Sequence, residues 1–147
     1  MKFAQLEDKI YLTCKFDIID IEFNKLQSEG GTPLSPFAFL ILGHLVGDYL
    51  FQTSWMAAYK SSKWLPLFVH SAVYTFFIAI FAWIGFGGLS VLGIAIVFIA
   101  HLILDQRSFV SWWVKNVMKA TGKEAGWLSI VVDQIFHILV LALVLYL

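Results

Sequence analysis

The sequence predicts an all-α integral membrane protein, a four-helix bundle of membrane spans preceded by a short extramembrane segment. Three observations carry that prediction. Hydrophobic residues fill 60% of the 147 positions and the mean hydropathy is +0.81, more apolar than a soluble domain of this size keeps in solution. Four long apolar stretches follow one another after position 33, each close to the ~20 residues that a bilayer crossing needs. Fourteen Phe, six Trp and five Tyr suit a chain with lipid-facing surface and rings anchored at the headgroups. The formal net charge is zero, so nothing points to nucleic acid. The single cysteine, Cys14, cannot form an intrachain disulfide.

Residues 1–33 differ in character from the rest. They hold six of the ten acidic residues, a strand-like alternation around Ile10 to Phe23, and the breaker Ser28-Glu29-Gly30-Gly31-Thr32-Pro33. They read as a tail or small appendage, and not as a signal peptide, because no continuous apolar region follows a basic start. The membrane domain then covers 34–147. Its first span, 36–58, opens on Ser35 as N-cap with Pro36 at the first helical position. The second, 66–84, ends at a tight turn formed by Gly85, Gly87 and Gly88. The third covers 89–106. A connector from Arg107 to Ala125, with Trp112, Trp113, Lys115 and Lys119, predicts a short helix lying in the membrane interface. The fourth span is 126–147.

Four spans place the loops 59–65 and 107–125 on one side, and both termini with the glycine turn on the other. The first side carries Lys60, Lys63, Arg107, Lys115, Lys119 and Lys123, against Lys25 alone near the other. The positive-inside bias therefore puts the two basic loops in the cytoplasm. This predicts a multi-pass protein of the bacterial inner, or another energy-transducing, membrane with the lipid bilayer as its first partner.

The polar residues inside the spans are few. They are His44, Asp48 and Gln52, then His70, then His101, Asp105 and Gln106, then Asp133, Gln134 and His137. All four histidines of the chain belong to this set, and His44–Asp48, His101–Asp105 and Asp133–His137 are each spaced i, i+4, on one helix face. His44, Asp48 and Gln52 continue that face as i, i+4, i+8. Charges in hydrocarbon are costly and turn toward the protein interior or a wet cavity. Counted at about 1.5 Å per residue from the basic-loop ends, Asp48 and His137 lie roughly 15 Å deep, Asp133 about 10 Å, His70 and His101 about 6–8 Å, and Asp105 nearest the surface. All fall in one half of the membrane, as a shared site requires.

Imidazole and carboxylate are usual donors to Zn²⁺, Mn²⁺ or Fe, and facing helices build dinuclear centres from such side chains. The metal-ligand set is His44, Asp48, His70, His101, Asp105, Asp133 and His137, for one or two ions. Gln52, Gln106 and Gln134 are read as hydrogen-bonding supports around it. A proton or ion relay through the same residues, and structural polar packing between helices, are the competing readings.

The run G-H-L-V-G-D-Y-L-F-Q-T-S-W-M-A from Gly43, followed by Lys60, by L-F-V-H ending at His70, by H-L-I-L-D-Q at 101–106 and by D-Q-I-F-H at 133–137, resembles a bacterial membrane-protein family catalogued as domain of unknown function 3307. The resemblance covers about 35–147. It implies the architecture and the importance of these positions, and brings no activity with it. The pattern is also distantly similar to inner-membrane metal-dependent hydrolases, with different spacings.

The function expected is that of a metal-dependent hydrolase acting on a lipid or lipid-linked phosphate from the cytoplasmic side. A bound ion lowers the pKa of a water, Asp48 or Asp133 serves as general base, and Lys60, Lys63 or Arg107 contacts the head group. The alternatives are a proton or metal relay or transporter, and a small accessory or assembly subunit of a larger membrane complex or homo-oligomer.

Overall fold

The structure, a computed structural model, describes residues 34–147. The expectations for residues 1–33, including the alternating run and Cys14, lie outside the described residues. Among the described residues there are six α-helices and one π-helical turn, with no strand. They are α1 (Pro36–Leu45), the π-turn (Val46–Leu50), α2 (Ser54–Tyr59), α3 (Trp64–Phe86), α4 (Val91–Asp105), α5 (Ser108–Asn116) and α6 (Gly122–Val144).

Helices α3 and α6 are each 23 residues long, about 35 Å at 1.5 Å per residue. Both are long and apolar enough to cross a membrane. Helices α1 and α4 are shorter. Serine caps start both: Ser35 Oγ accepts from the Ala38 amide at 3.2 Å with Pro36 in the first turn, and Ser90 Oγ accepts from the Gly93 amide at 3.0 Å. Helix α3, the second expected span, runs to Phe86, beyond the expected end at Ile84. Gly87, at φ 86°, closes it: its amide bonds to Trp83 O, and that of Gly88 to Ala82 O, a Schellman ending that needs the left-handed region. Gly85 is thus not part of the turn. It is buried inside α3 where the chain meets Phe39.

The expectation of one helix face through His44, Asp48 and Gln52 is corrected. After Leu45 the backbone widens into the π-turn, closed by the Phe51 amide on Val46 O at 3.0 Å. Thr53 is then extended, and its hydroxyl accepts from the Met56 amide to start α2. A cap hydroxyl in mid-segment offers the backbone a new helix start, and the first helix stops there. Helix α4 stops similarly at Asp105, where Arg107 takes a left-handed φ of 63° and α5 leaves at an angle of 61°.

Packing contacts run in a ring, α1 on α3, α3 on α4, α4 on α6 and α6 back on α1. The approach of α1 to α3 is close because Gly43 and Gly47 face it. A Cβ on Gly43 would stand 3.1 Å from Phe81 Cβ and 3.3 Å from Ile78 Cα, and one on Gly47 3.1 Å from Tyr74 Cα. Small residues four apart allow helix backbones this contact. One half of the ring is filled by Leu40, Tyr74, Ile78, Ala82, Val97, Leu141 and Val144. A second apolar cluster, Leu104, Val110, Val114 and Val132, seats α5 against α6, while Trp112 and Lys115 on its other face are exposed. The outward residues of the long helices, such as Phe68, Phe76, Ile135 and Leu139, are apolar and exposed, as lipid contact requires.

Candidate metal centre

The second half of the ring is polar. Asp48 sits in the π-turn and Asp105 is the last residue of α4, so both carboxylates lie where a helix ends. The unpaired carbonyls of a helix C-terminus carry partial negative charge, and adding a carboxylate there makes a place for a cation. His70 comes from α3, His101 from α4, and Asp133, Gln134 and His137 from α6.

Two groups form, and Asp105 belongs to both. Asp48, His70, His101 and Asp105 make the first; Asp105, Asp133 and His137 make the second; within each, one ligand atom per residue lies within 4.8 Å of the others. All are buried. In the first group His70 Nε2 is 3.0 Å from Asp48 Oδ1 and 2.9 Å from Asp105 Oδ2, and His101 Nε2 is 3.1 Å from Asp105 Oδ2. In the second, His137 Nε2 is 3.9 Å from Asp105 Oδ1. His137 Nδ1 donates to the Asp133 carbonyl at 2.8 Å, which leaves Nε2 with its lone pair for a ligand. His101 Nε2, Asp105 Oδ2, Asp133 Oδ1 and His137 Nε2 are buried atoms without a hydrogen-bond partner of proper direction. Asp105 Oδ2 and His101 Nε2 still lie within an ion-paired cluster, whereas Asp133 Oδ1 and His137 Nε2 have no hydrogen bond and suit a cation, since a buried polar atom otherwise finds one.

The support around the groups is specific. Gln134 Nε2 donates to Asp48 Oδ2 at 3.2 Å and to Asp133 Oδ2 at 3.3 Å, and its Oε1 accepts from His44 Nε2 at 2.9 Å. His44 Nδ1 then accepts from the Tyr74 hydroxyl at 3.2 Å. Both ring nitrogens of His44 are engaged, and it stands outside both groups, unlike its assignment among the ligands. Tyr74, which no pattern in the sequence marks, also stacks on His101, with ring centroids 3.8 Å apart and planes at 13°.

Other expectations change with the broken helices. The depth count separated Asp48 from Asp105 because it assumed that the first helix continued to Ala58; their ligand atoms instead lie within 4.8 Å of one another. Gln52 donates to the backbone carbonyl of Asp48 at 3.0 Å rather than to its carboxylate. Gln106 is exposed past the end of α4. Lys63 is exposed and lies over the Tyr59 ring at 4.3 Å, and Arg107 is exposed at the bend. Lys60 is the largest departure. Expected at the surface as a head-group contact, it is 8% exposed, with Nζ 2.8 Å from Asp105 Oδ2, 3.5 Å from Asp48 Oδ1 and 3.0 Å from His70 Nε2.

Residues 37–147 match the family described as protein of unknown function (DUF3307). The chain belongs to this family. No curated protein and no solved structure matches it, so the likeness to inner-membrane hydrolases gains no support from these comparisons. Every residue of the two groups in this DUF3307 chain falls inside the matched region.

Proposed function

We propose that this DUF3307 chain is a four-span membrane protein built around a divalent-metal centre, and that it hydrolyses a lipid or lipid-linked phosphate from the cytoplasmic side of the bacterial inner, or another energy-transducing, membrane. The observation that carries the reading is the pair of buried His/Asp groups sharing Asp105, in which Asp133 Oδ1 and His137 Nε2 have no hydrogen-bond partner. In a bilayer such carboxylates are expensive unless a cation compensates them. In the four-span reading, α1 with its π-turn and α4 with α5 are the two interrupted spans.

The Lys60–Asp105 contact brings the connectors after α2 and after α4 to one end. Ser35, Phe86, Leu89 and Tyr146 line one cleft at the other. That alternation, with Lys63, Arg107, Lys115, Lys119 and Lys123 on or beside the connectors, supports cytoplasmic basic loops and outward termini. Lys63 and Arg107 are the exposed cations nearest the centre along the chain, and take the head group.

A divalent ion at this place supplies Lewis acidity and a more acidic water. The residues do the rest. Asp48 is already held by His70, Gln134 and Lys60. Asp133 Oδ1 has no hydrogen bond and Asp133 belongs to the second ligand group, so it is read as a ligand, which leaves Asp48 as the general base of the two carboxylates.

Elemental analysis of detergent-purified protein tests the centre, with Asp133→Ala and His137→Ala beside the natural sequence. Zinc, manganese or iron copurifies with the natural chain and is lost from both variants. A folded sample that holds no metal in the presence of these ions overturns the reading. Asp48→Asn lowers phosphate release from a lipid-phosphate substrate by about 10²–10⁴-fold.

A further inference from the structure

The two groups are unequal in one respect: the first already contains a positive charge. Lys60 follows α2, and its stem reaches back so that Nζ stands among Asp105 Oδ2, His70 Nε2 and Asp48 Oδ1 at 2.8, 3.0 and 3.5 Å. These are three of the four side chains of the first group. A metal ion bound by the same atoms at about 2.0–2.2 Å would need the space that the ammonium fills. The second group has no such occupant among the described residues: Asp133 Oδ1 and His137 Nε2 have no hydrogen-bond partner, only His–Asp contacts within the group at 3.7 and 3.9 Å.

Asp105 divides its oxygens between them. Oδ2 faces Lys60, His70 and His101, while Oδ1 faces His137. Charge gives the same division. Asp48, Asp105 and Asp133 contribute three negative charges and Lys60 one positive, which leaves a deficit that a single divalent ion neutralises with the histidines neutral. Two divalent ions beside the ammonium would leave the buried site with excess positive charge, which low polarity penalises.

We propose that Lys60 supplies the cation of the first group, so that the site takes one divalent ion, held by Asp105, Asp133 and His137, beside a tethered ammonium. The inference rests on the metal-centre reading and fixes its stoichiometry and place. The ammonium then lies next to the ion, on the side where the connector after α2 leaves the site.

The test is equilibrium dialysis of the full chain in detergent against Zn²⁺, followed by elemental analysis. The natural chain binds about one equivalent, Lys60→Arg also about one, and Lys60→Leu about two, because the first group regains its place for an ion. His70→Ala in the natural background keeps its one equivalent, since His70 faces the ammonium; this variant carries the test should Lys60→Leu not fold. Two equivalents in the natural chain, one in folded Lys60→Leu, or loss of the ion in His70→Ala overturns the inference and leaves the metal centre standing. No zinc in any folded sample overturns both.

Discussion

The continuous helices α3 and α6 and the interrupted pair, α1 and α4, contribute different chemistry to one site. The interrupted helices bring Asp48 and Asp105 at the places where their hydrogen-bonded turns end or widen, with His101 from the regular part of α4 beside them. The continuous ones bring His70, Tyr74, Asp133, Gln134 and His137 from positions well inside regular helix. A helix that stops inside the protein exposes carbonyls and the negative end of its dipole, so a carboxylate added there deepens an existing preference for cations. A helix that continues keeps its backbone satisfied and holds side chains at fixed spacing, which suits orienting a ring or fixing its tautomer. The interruption thus makes the place, and the unbroken helices furnish its walls.

The largest effect expected from breaking this division is at Asp105. Asp105→Asn keeps the shape but removes the charge shared by both groups, and leaves Lys60 buried with Asp48 at 3.5 Å as its remaining carboxylate within ion-pair reach. Removing one partner of a buried ion pair costs about 3–5 kcal/mol, read as a lower unfolding midpoint in detergent together with loss of bound metal. An unchanged midpoint would show that the end of α4 is not where the site's energy is concentrated.

A smaller effect tests how the interrupted α1 reaches the continuous α3. Gly43→Val places a branched side chain where a Cβ alone would meet Phe81 Cβ at 3.1 Å and Phe77 O at 3.2 Å, an overpacking worth up to about 3 kcal/mol. On α6, a Cβ added to Gly126 would meet nothing within 4 Å, so Gly126→Ala gains about 0.5–1 kcal/mol of helix propensity instead. Equal shifts at the two glycines, measured by thermal unfolding in detergent, would rule out a close α1–α3 approach.

Much of this division is visible in the residues, though not where the helices break. Histidine and aspartate stand out in apolar segments because hydrocarbon tolerates them poorly, and that contrast alone marks His70, His101, Asp105, Asp133 and His137. The break after Leu50 is hidden by continued apolarity: Tyr49, Leu50 and Phe51 look like more of the same span, and neither Gly nor Pro marks the break. Thr53 is the available signal, as a cap hydroxyl inside a long segment. Gly43 and Gly47, four apart, likewise announce a close helix contact. Lys60 looks like a surface residue from its neighbours in sequence, but a four-carbon stem lets an ammonium bury far from them. Tyr74 has no signal among so many aromatics; only its stacking on His101 and its bond to His44 distinguish it.

Tyr74→Phe gives a similarly small expected effect and separates the two jobs of a wall residue. The variant keeps the ring that stacks on His101 at 3.8 Å and removes the hydroxyl that donates to His44 Nδ1 at 3.2 Å. A single buried hydrogen bond is worth about 1 kcal/mol, so the unfolding midpoint falls slightly. His44 lies outside both groups of candidate ligands, and the bound metal should stay at the natural level. Loss of metal from Tyr74→Phe would mean that the hydroxyl, through His44 and Gln134, governs the carboxylates as well as the packing. The continuous helices would then share in making the place for the cation, and the division between the two pairs would fail.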